Sequence, residues 1–273
     1  LTMVMHILRF ANFSHAELLS IGAYVALVFD KIFKVTMPLM ANEIGSLSMT
    51  WALILSIIVS MVFTGASAVV FDRLIFRRIR AKGDELSMVF ASFGLALIVR
   101  NLIGLIFGLS TKLYSKDIVF ATVLSRDPLL VVKLDQLAAF SITLVLMVVI
   151  HIVLSRTTFG YSLRAVGENP ELAQVNGINL ERTIISVWII GGGLAAVAGV
   201  FYGLTNQINP MIGRDLVLPV FAATIVGGIG SVYGALLGGF IVGLASNLAL
   251  IILPSGYSPS VPFIIILAVL LIR

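Results

Sequence analysis

One uninterrupted apolar run decides the fold class: residues 51–71 read WALILSIIVSMVFTGASAVVF, without a charged side chain. About 20 helical residues are enough to cross the ~30 Å hydrocarbon layer of a bilayer. Thr183–Leu204 is a second such run, and Gln136–Leu154 is nearly as long, with His151 as its only ionisable residue. The chain is therefore predicted to be an all-α, polytopic integral membrane protein.

Composition and charge point to the same class. Of the 273 residues, 59% are hydrophobic and 11% are charged, and the mean hydropathy of +1.11 excludes an ordinary soluble domain. A β-barrel would show alternating segments of about ten residues instead of continuous runs. The net charge of +5 comes from basic residues in short loops between spans, so we expect contact with membrane lipid and none with nucleic acid.

The apolar runs predict roughly eight transmembrane or re-entrant helices in one domain, residues 1–273. Leu216–Leu253 carries no charge and suits either two crossings or one crossing plus a half-membrane hairpin. Leu1–Leu8 and Pro259–Ile272 look like incomplete spans, so we expect the native protein to continue beyond both ends. The other predicted spans are Phe10–Phe29, Trp51–Phe71, Leu86–Gly108, Gln136–Leu154 and Thr183–Leu204.

The orientation follows from the basic loop Asp72–Glu85, which holds the densest cluster of arginine and lysine in the chain. Such loops stay in the cytoplasm. Alternation of the spans then places Ser155–Arg182 in the cytoplasm as well. Lys31–Thr50 and Leu109–Asp135 are expected outside, as solvated loops.

The polar segment at residues 164–183 reads RAVGENPELAQVNGINLERT. Asn169 can cap a helix, Pro170 suits its first position, and Glu171 suits its first turn. Gly177 is a natural stop. A helix of about two turns is too short to be stable alone. We therefore expect it to lie at the cytoplasmic surface and to dock against a partner; the alternative is an ordinary surface loop with one helical turn.

The polar hexapeptide NFSHAE, residues 12–17, interrupts the first predicted full span. The uncharged stretch between Glu17 and Asp30 is too short to cross the bilayer, so either the helix is broken or His15 lies inside the membrane with Glu17. Ionisable groups at that depth usually face a water-filled cavity, and broken helices recur along transport paths. The alternative is a cytoplasmic turn that caps the next helix. The candidate path residues here are Asn12, Ser14, His15 and Glu17.

Arg100 and Asn101 interrupt the span Leu86–Gly108. The planar guanidinium group of Arg100 could bind a substrate carboxylate. We favour instead a tilted span in which Arg100 snorkels to the outer interface. Asn101 is kept as a candidate residue of the path.

From Gly191 onward the chain is rich in glycine, with GGG at 191–193 and Gly199-x-x-x-Gly203. Small residues on one helical face allow two helices to pack closely. In lipid this packing stabilises helix association, because the hydrophobic effect does not act between helices there. The sequence GGIGS at residues 227–231 interrupts a helix outright, as expected of a broken element that lines a cavity. Gly227 and Gly228 are therefore candidate path residues.

No motif indicates an enzyme. The phosphate-binding pattern G-x-x-x-x-G-K-[ST] is absent, so the chain is not expected to bind ATP itself. Catalytic carboxylate pairs and cysteines are absent as well, and the three histidines are too scattered to suggest a metal site. We expect no catalytic residue, no cofactor and no metal in this chain.

Several segments, in this order, make the sequence similar to the permease subunits of branched-chain amino acid ABC importers, of the LivH type. They are NFSHAELLSIGAYVAL, FDRLIFRRIRAKGDELSMVFASFGLALIVRN, RAVGENPELAQVNGIN, GGGLAAVAGVFYG, INPMIG and VGGIGSVYGALLGGFIVG. The resemblance covers essentially the whole chain and implies one ABC-importer permease domain in a bacterial or archaeal inner membrane. It also implies a second related permease, two cytoplasmic ATPase subunits that hydrolyse Mg-ATP, and an extracytoplasmic substrate-binding protein.

The resemblance also gives the short polar helix a role. Glu171-x-Ala173-x-x-x-Gly177 matches the Glu-Ala-Ala-x-x-x-Gly pattern with which ABC importer permeases engage their ATPases, with Leu172 in place of the first alanine. The residues implied at this coupling contact are Arg164, Glu168, Glu171, Ala173 and Gly177.

The residues leave two other classes open. A passive channel for urea, amides or water fits the glycine-rich packing, but it has no use for a docking helix. A secondary transporter needs a carboxylate well inside a span, for which only Glu17 qualifies. Among ABC permeases, urea and short amides are alternative substrates to leucine, isoleucine and valine.

Overall fold

The computed structural model describes residues 1–45, 47–114, 122–126 and 129–272, and most of them are helical. In this part of the chain, five helices are long and apolar enough to cross a membrane, which confirms the all-α polytopic class. The helices are α1 (Thr2–Leu8), α2 (Glu17–Thr36), α3 (Trp51–Phe71), α4 (Arg77–Arg80), α5 (Glu85–Phe107), α6 (Leu134–Arg156), α7 (Thr158–Glu168), α8 (Pro170–Val175), α9 (Leu180–Thr205), α10 (Ile212–Gly227), α11 (Val232–Ile252) and α12 (Val261–Ile272).

The predicted outer loop Leu109–Asp135 contains a small antiparallel hairpin. Its strands are β1 (Thr122–Arg126) and β2 (Leu129–Val132). Val and Leu dominate β2, and β-branched residues favour strands. The predicted loop thus contains some regular structure, and its exposure to solvent stays a prediction; residues 115–121 and 127–128 lie outside the described ranges.

The spans predicted from the long apolar runs correspond to α3, α5, α6 and α9. The predicted loop Asp72–Glu85 is shorter than expected, because α3 continues through a π-helical stretch, Asp72–Phe76, into α4. The extension places Phe76 against Trp188, with ring centroids 5.6 Å apart, and against Phe10 at 5.2 Å. We call the end of the bundle formed by α4, α7 and α8 the basic end.

The predicted span Phe10–Phe29 is wrong by about two turns, because α2 begins only at Glu17. A 3-10 turn, Phe13–Ala16, precedes it, and Oδ1 of Asn12 accepts a hydrogen bond from the N–H of Ser14 at 3.1 Å. A carboxylate in the first turn of a helix is favoured by the helix dipole. The 20 residues of α2 then rise about 30 Å, but α2 is not among the five candidate spans of the described residues.

The paired segment Leu216–Leu253 contains one short helix and one longer helix. The 16 residues of α10 rise only about 24 Å, whereas α11 has 21 residues and is long enough to span. Gly228, at φ 87°, ends α10 in a backbone conformation that glycine adopts at little cost. Of these two helices, α11 is a candidate span by length and hydropathy. The choice between two crossings and one crossing plus a half-membrane hairpin stays a prediction.

The core of the bundle is the contact among α2, α3 and α9. Gly22 of α2 lies against Ala196, and Gly65 of α3 lies against the backbone of Ile189. Ser60 donates a hydrogen bond to the carbonyl of Gly22 at 2.7 Å. Two of the glycines predicted to pack closely belong to this contact: Gly192 lies against Gly65, and Gly199 lies against the backbone of Leu19.

Asp135 links the start of α6 to the segment before α3. Its buried carboxylate accepts hydrogen bonds from the N–H of Ser48 at 2.9 Å and from the hydroxyl of Ser48 at 2.5 Å. Asp135→Ala leaves both donors without partners and is expected to cost about 1–3 kcal/mol of stability. The thermal midpoint in detergent measures this; Asp215→Ala, at an exposed carboxylate, is the control, and equal shifts for the two variants would contradict the expectation.

Candidate functional site

The short polar helix predicted at the cytoplasmic surface is α8, and its local signals act as expected. Oδ1 of Asn169 accepts a hydrogen bond from the N–H of Leu172 at 3.0 Å, and Pro170 opens the helix. Gly177 adopts φ 82°, and the next N–H, of Ile178, donates to the carbonyl of Ala173 at 3.0 Å. This is the closing geometry of a glycine-terminated helix.

One side of α8 is anchored and the other is exposed. Ala173 is buried, with 3% of its surface accessible. Glu171, Leu172 and Val175 are exposed, although two of them are large apolar residues. An anchored helix that presents a carboxylate and apolar side chains outward has the arrangement of a docking surface.

Arg164 and Glu168, the two implied neighbours, lie on α7 and make contacts within the chain. Nη1 of Arg164 donates to the carbonyl of Leu154 at 2.8 Å, and its guanidinium group lies over the ring of Tyr161. The carbonyl of Glu168 accepts a hydrogen bond from Arg9 at 3.4 Å. Both residues therefore brace α7 against the bundle, and both remain exposed next to α8.

A recess of about 540 Å³ lies between α4 and the turn that joins α8 to α9. Arg77 lines it and pairs with Glu181 at 2.7 Å, and Arg80 lines it and pairs with Asp72 at the same distance. Gly177 lies on its opposite wall. The recess adjoins the exposed face of α8, so a partner docked on α8 would also lie next to these two ion pairs.

Asn12, Ser14 and His15 are buried in the turn before α2. Oδ1 of Asn12 accepts a second hydrogen bond, from the hydroxyl of Ser14, at 2.7 Å. The ring of His15 lies against Gly191, where a Cβ atom would sit 3.4 Å from Cε1. Asn12 and Ser14 thus act as a cap, which matches the alternative reading of the hexapeptide as a turn.

Glu17 and Arg100 form a buried ion pair, so the expectation that Arg100 snorkels to the outer interface is wrong. Nε and Nη2 of Arg100 lie 3.0 and 2.5 Å from Oε1 of Glu17. The second oxygen, Oε2, accepts from the hydroxyl of Ser20 at 3.3 Å, and that hydroxyl accepts from the N–H of Gly213 at 2.9 Å. The cluster therefore joins α2, α5 and the first turn of α10.

Asn101 lies beside this ion pair, on the wall of a cavity of about 590 Å³. Its side-chain amide donates to the carbonyl of Leu97 at 2.8 Å, and the residue is exposed. Arg100 also lines the cavity, and so do Pro210 and Met211 of the segment before α10. Of the predicted path residues, Glu17 and Asn101 are thus brought together around Arg100.

Gly227 and Gly228 lie at the other end of α10, about 21 Å along the helix from Gly213. Gly227 packs against Gly234 at the start of α11, and the nearby N–H of Gly230 donates to the hydroxyl of Thr2 at 2.9 Å. The break therefore forms a tight turn between α10 and α11 and is not part of the Glu17–Arg100 cluster.

The comparison that decides the family covers almost the whole chain. A family model described as "Branched-chain amino acid transport system / permease component" matches residues 1–272. The chain belongs to this family. The permease is thus a multi-pass membrane transport component, as the sequence predicted.

Named relatives of the permease are similar along nearly their full length. The high-affinity branched-chain amino acid transport system permease protein BraD of Pseudomonas aeruginosa is 30% identical over 100% of this chain and 87% of its own length. LivH of Escherichia coli, named likewise, is 30% identical over 99% of this chain and 86% of its own. The probable LivH of Methanocaldococcus jannaschii is 29% identical over 96% and 80%. No solved structure matches the permease.

Sequence reasoning missed two parts of these sites. The recess beside α8 depends on α4, which the sequence analysis treated as loop, although the arginine cluster there was a visible signal. The partner of Arg100 was missed because Glu17 is 83 residues away in the chain. The signal that could have found this pair is that each residue is an unusual charge within an apolar span, and such charges tend to pair with one another.

Proposed function

We propose that this protein is the permease subunit of an ATP-binding-cassette importer that carries leucine, isoleucine and valine across a bacterial or archaeal inner membrane. The observation that carries the proposal is the family match over residues 1–272. It is supported by bacterial relatives named as high-affinity branched-chain amino acid permeases, and by an archaeal relative of about equal similarity named as a probable branched-chain amino acid permease.

The proposed coupling element is α8, at the basic end, which then faces the cytoplasm. Its buried Ala173 ties the helix to the bundle, while Glu171 and Leu172 are available to a partner. Two cytoplasmic ATPase subunits would dock here and in the adjoining recess, and they would bind and hydrolyse Mg-ATP. ATP-driven closure then moves α8, and it drives the spans only if the ATPases bind the two permease states with different free energies.

The proposed complex also contains a second related permease and an extracytoplasmic binding protein. Much of α6 is available to lipid or to the second permease, because Phe140, Val145 and Val148 are exposed on it. The end opposite to the basic end, where Lys112 and Ile208 exchange main-chain hydrogen bonds of 2.8 and 2.9 Å, would receive the binding protein. Glu171, rather than any catalytic group, is then the residue on which ATP use and transport depend.

The test is uptake into proteoliposomes that hold the full permease with its partner subunits and ATP. We expect labelled leucine to accumulate only with ATP and binding protein, and to be displaced by isoleucine and valine. If urea or acetamide lowers the accumulation of label and isoleucine does not, the result would instead indicate a permease for urea or short amides. Solute flux that persists without ATP would indicate the passive channel.

A further inference from the structure

The cavity of about 590 Å³ beside the start of α10 combines apolar walls with an ion pair. It is a groove open at the surface of the bundle: its apolar lining comes from the exposed side chains of Ile98, Leu102 and Leu105 in α5. Its polar lining comes from Arg100 and Asn101. Small-molecule sites are typically cavities of about 300–1,000 Å³ with mostly apolar walls and a few placed polar groups. The cavity therefore has the size and the lining of a site for a small amphiphilic solute.

The ion pair at the edge of this cavity is largely withdrawn from solvent. Only 1% of the Glu17 side chain and 16% of the Arg100 side chain are accessible. Replacing a buried ion pair with apolar residues of similar size is often neutral or stabilising, so such a pair is weak support for a purely structural role. Arg100 lies about 23 Å along α5 from Glu85, well inside the span, where charges usually mark a transport path.

The pair matches the charges of an α-amino acid. Arg100 uses Nε and Nη2 for Glu17, and Nη1 has no hydrogen-bond partner among the described residues. A zwitterion presents one carboxylate and one ammonium, so it could exchange with the pair without changing the net charge of the site. Arg favours carboxylates because its planar group offers parallel N–H donors.

We propose that the Glu17–Arg100 pair is the point at which the permease receives the α-amino acid zwitterion: Arg100 binds the carboxylate, Glu17 binds the ammonium, and the aliphatic side chain lies on the apolar wall of α5. The inference rests on the proposed function and adds the residues that select the substrate class inside the permease.

The exchange requires the first turn of α10 to move. The carboxylate of Glu17 fills the space where a side chain at Gly213 would lie, and Ser20 bridges the two. Glu17 is therefore covered in this state and becomes accessible only when Gly213 withdraws. Binding of the zwitterion is thereby linked to the position of α10, which continues to the basic end.

The experiment uses the reconstituted importer and measures leucine imported per ATP hydrolysed. Arg100→Lys keeps the charge but loses the planar group, and the exchange Glu17→Arg with Arg100→Glu keeps a pair but reverses its direction. Each is expected to lower leucine per ATP by about tenfold, with ATP hydrolysis stimulated by the binding protein changed less than about twofold. Arg156→Gln, at an exposed arginine in the last turn of α6, is the control and should keep the native ratio.

The remaining outcomes contradict either the Glu17–Arg100 substrate site or the proposed function of the permease. A native ratio in Arg100→Lys, or in the exchanged pair, contradicts the site. A parallel loss of uptake and of stimulated ATP hydrolysis in Arg100→Lys also contradicts it, because the pair would then be structural. If the unsubstituted importer hydrolyses ATP but imports no leucine, the proposed function itself is wrong.

Discussion

Replacing Glu171 with alanine is expected to lower ATP-dependent leucine uptake by about tenfold or more while the permease still folds. None of the ion pairs among the described residues includes Glu171, and the side chain is exposed in the first turn of α8. Its loss therefore removes no ion pair among the described residues. A hydrogen bond from an ATPase subunit to this carboxylate would be worth about 1.5–3 kcal/mol, and each 1.4 kcal/mol is a factor of ten in affinity.

The measurement is uptake in proteoliposomes, together with copurification of the ATPase subunits. Glu85→Ala is a matched control, because Glu85 is also an exposed glutamate in the first turn of a helix near the basic end. The loss of a favourable dipole contact, about 0.3–1 kcal/mol, is common to both variants. The ATPase subunits should fail to copurify only with Glu171→Ala. The uptake of Glu171→Gln should lie between the uptake of Glu171→Ala and that of Glu85→Ala.

Native uptake in Glu171→Ala, with the ATPases still bound, would remove α8 from the coupling mechanism. Equal losses in Glu171→Ala and Glu85→Ala would assign the effect to helix stability.

The parts of the fold that follow from local chemistry could be predicted from the sequence. A charge-free run of sufficient length specifies a crossing, as Trp51–Phe71 does, because the bilayer leaves its backbone no partner except its own helix. The bounds of α8 follow from Asn169, Pro170 and Gly177, whose effects reach only a few residues.

The start of α2 could not be predicted by the same means. The hydrophobic pattern favours a helix from Phe10, but the side chain of Asn12 accepts from both the N–H and the hydroxyl of Ser14 and holds a 3-10 turn instead. Such local bonds compete with the helix, and hydropathy alone does not register them.

The ion pair of Glu17 and Arg100 shows a different limit. The sequence reveals that each charge is costly in an apolar span, yet it does not reveal which charges meet. Their pairing depends on how α2 and α5 pack, and the covering of Glu17 depends on where the first turn of α10 lies. The proposed substrate contact is therefore a property of the packed bundle.

The second large effect is expected from Gly199→Leu, which should lower the stability of the permease by about 3 kcal/mol. Gly199 of α9 lies so close to the carbonyl of Leu19 in α2 that a Cβ atom would overlap it, and the clash is with backbone. A side chain there must push the two helices apart. In lipid such close packing is the main force between helices, and no hydrophobic term compensates for its loss.

Gly94→Ala is a control that should change the stability of the permease in the opposite direction. Gly94 lies inside α5, and a Cβ atom there would meet nothing within 4 Å. Alanine is favoured over glycine in a helix by about 0.8–1.0 kcal/mol, so this variant should be slightly more stable than the native permease. Thermal midpoints of the detergent-solubilised protein should therefore move in opposite directions for Gly199→Leu and Gly94→Ala.

The same substitution tests how the core supports the proposed path. Leu19 lies only two residues after Glu17 in α2, so any separation of α2 from α9 at Leu19 also displaces the Glu17 carboxylate from Arg100. Gly199→Ala, a smaller intrusion, should then reduce leucine imported per ATP in proportion to its loss of stability. Native midpoints for both Gly199 variants would mean that α2 and α9 do not pack as closely as the structure places them.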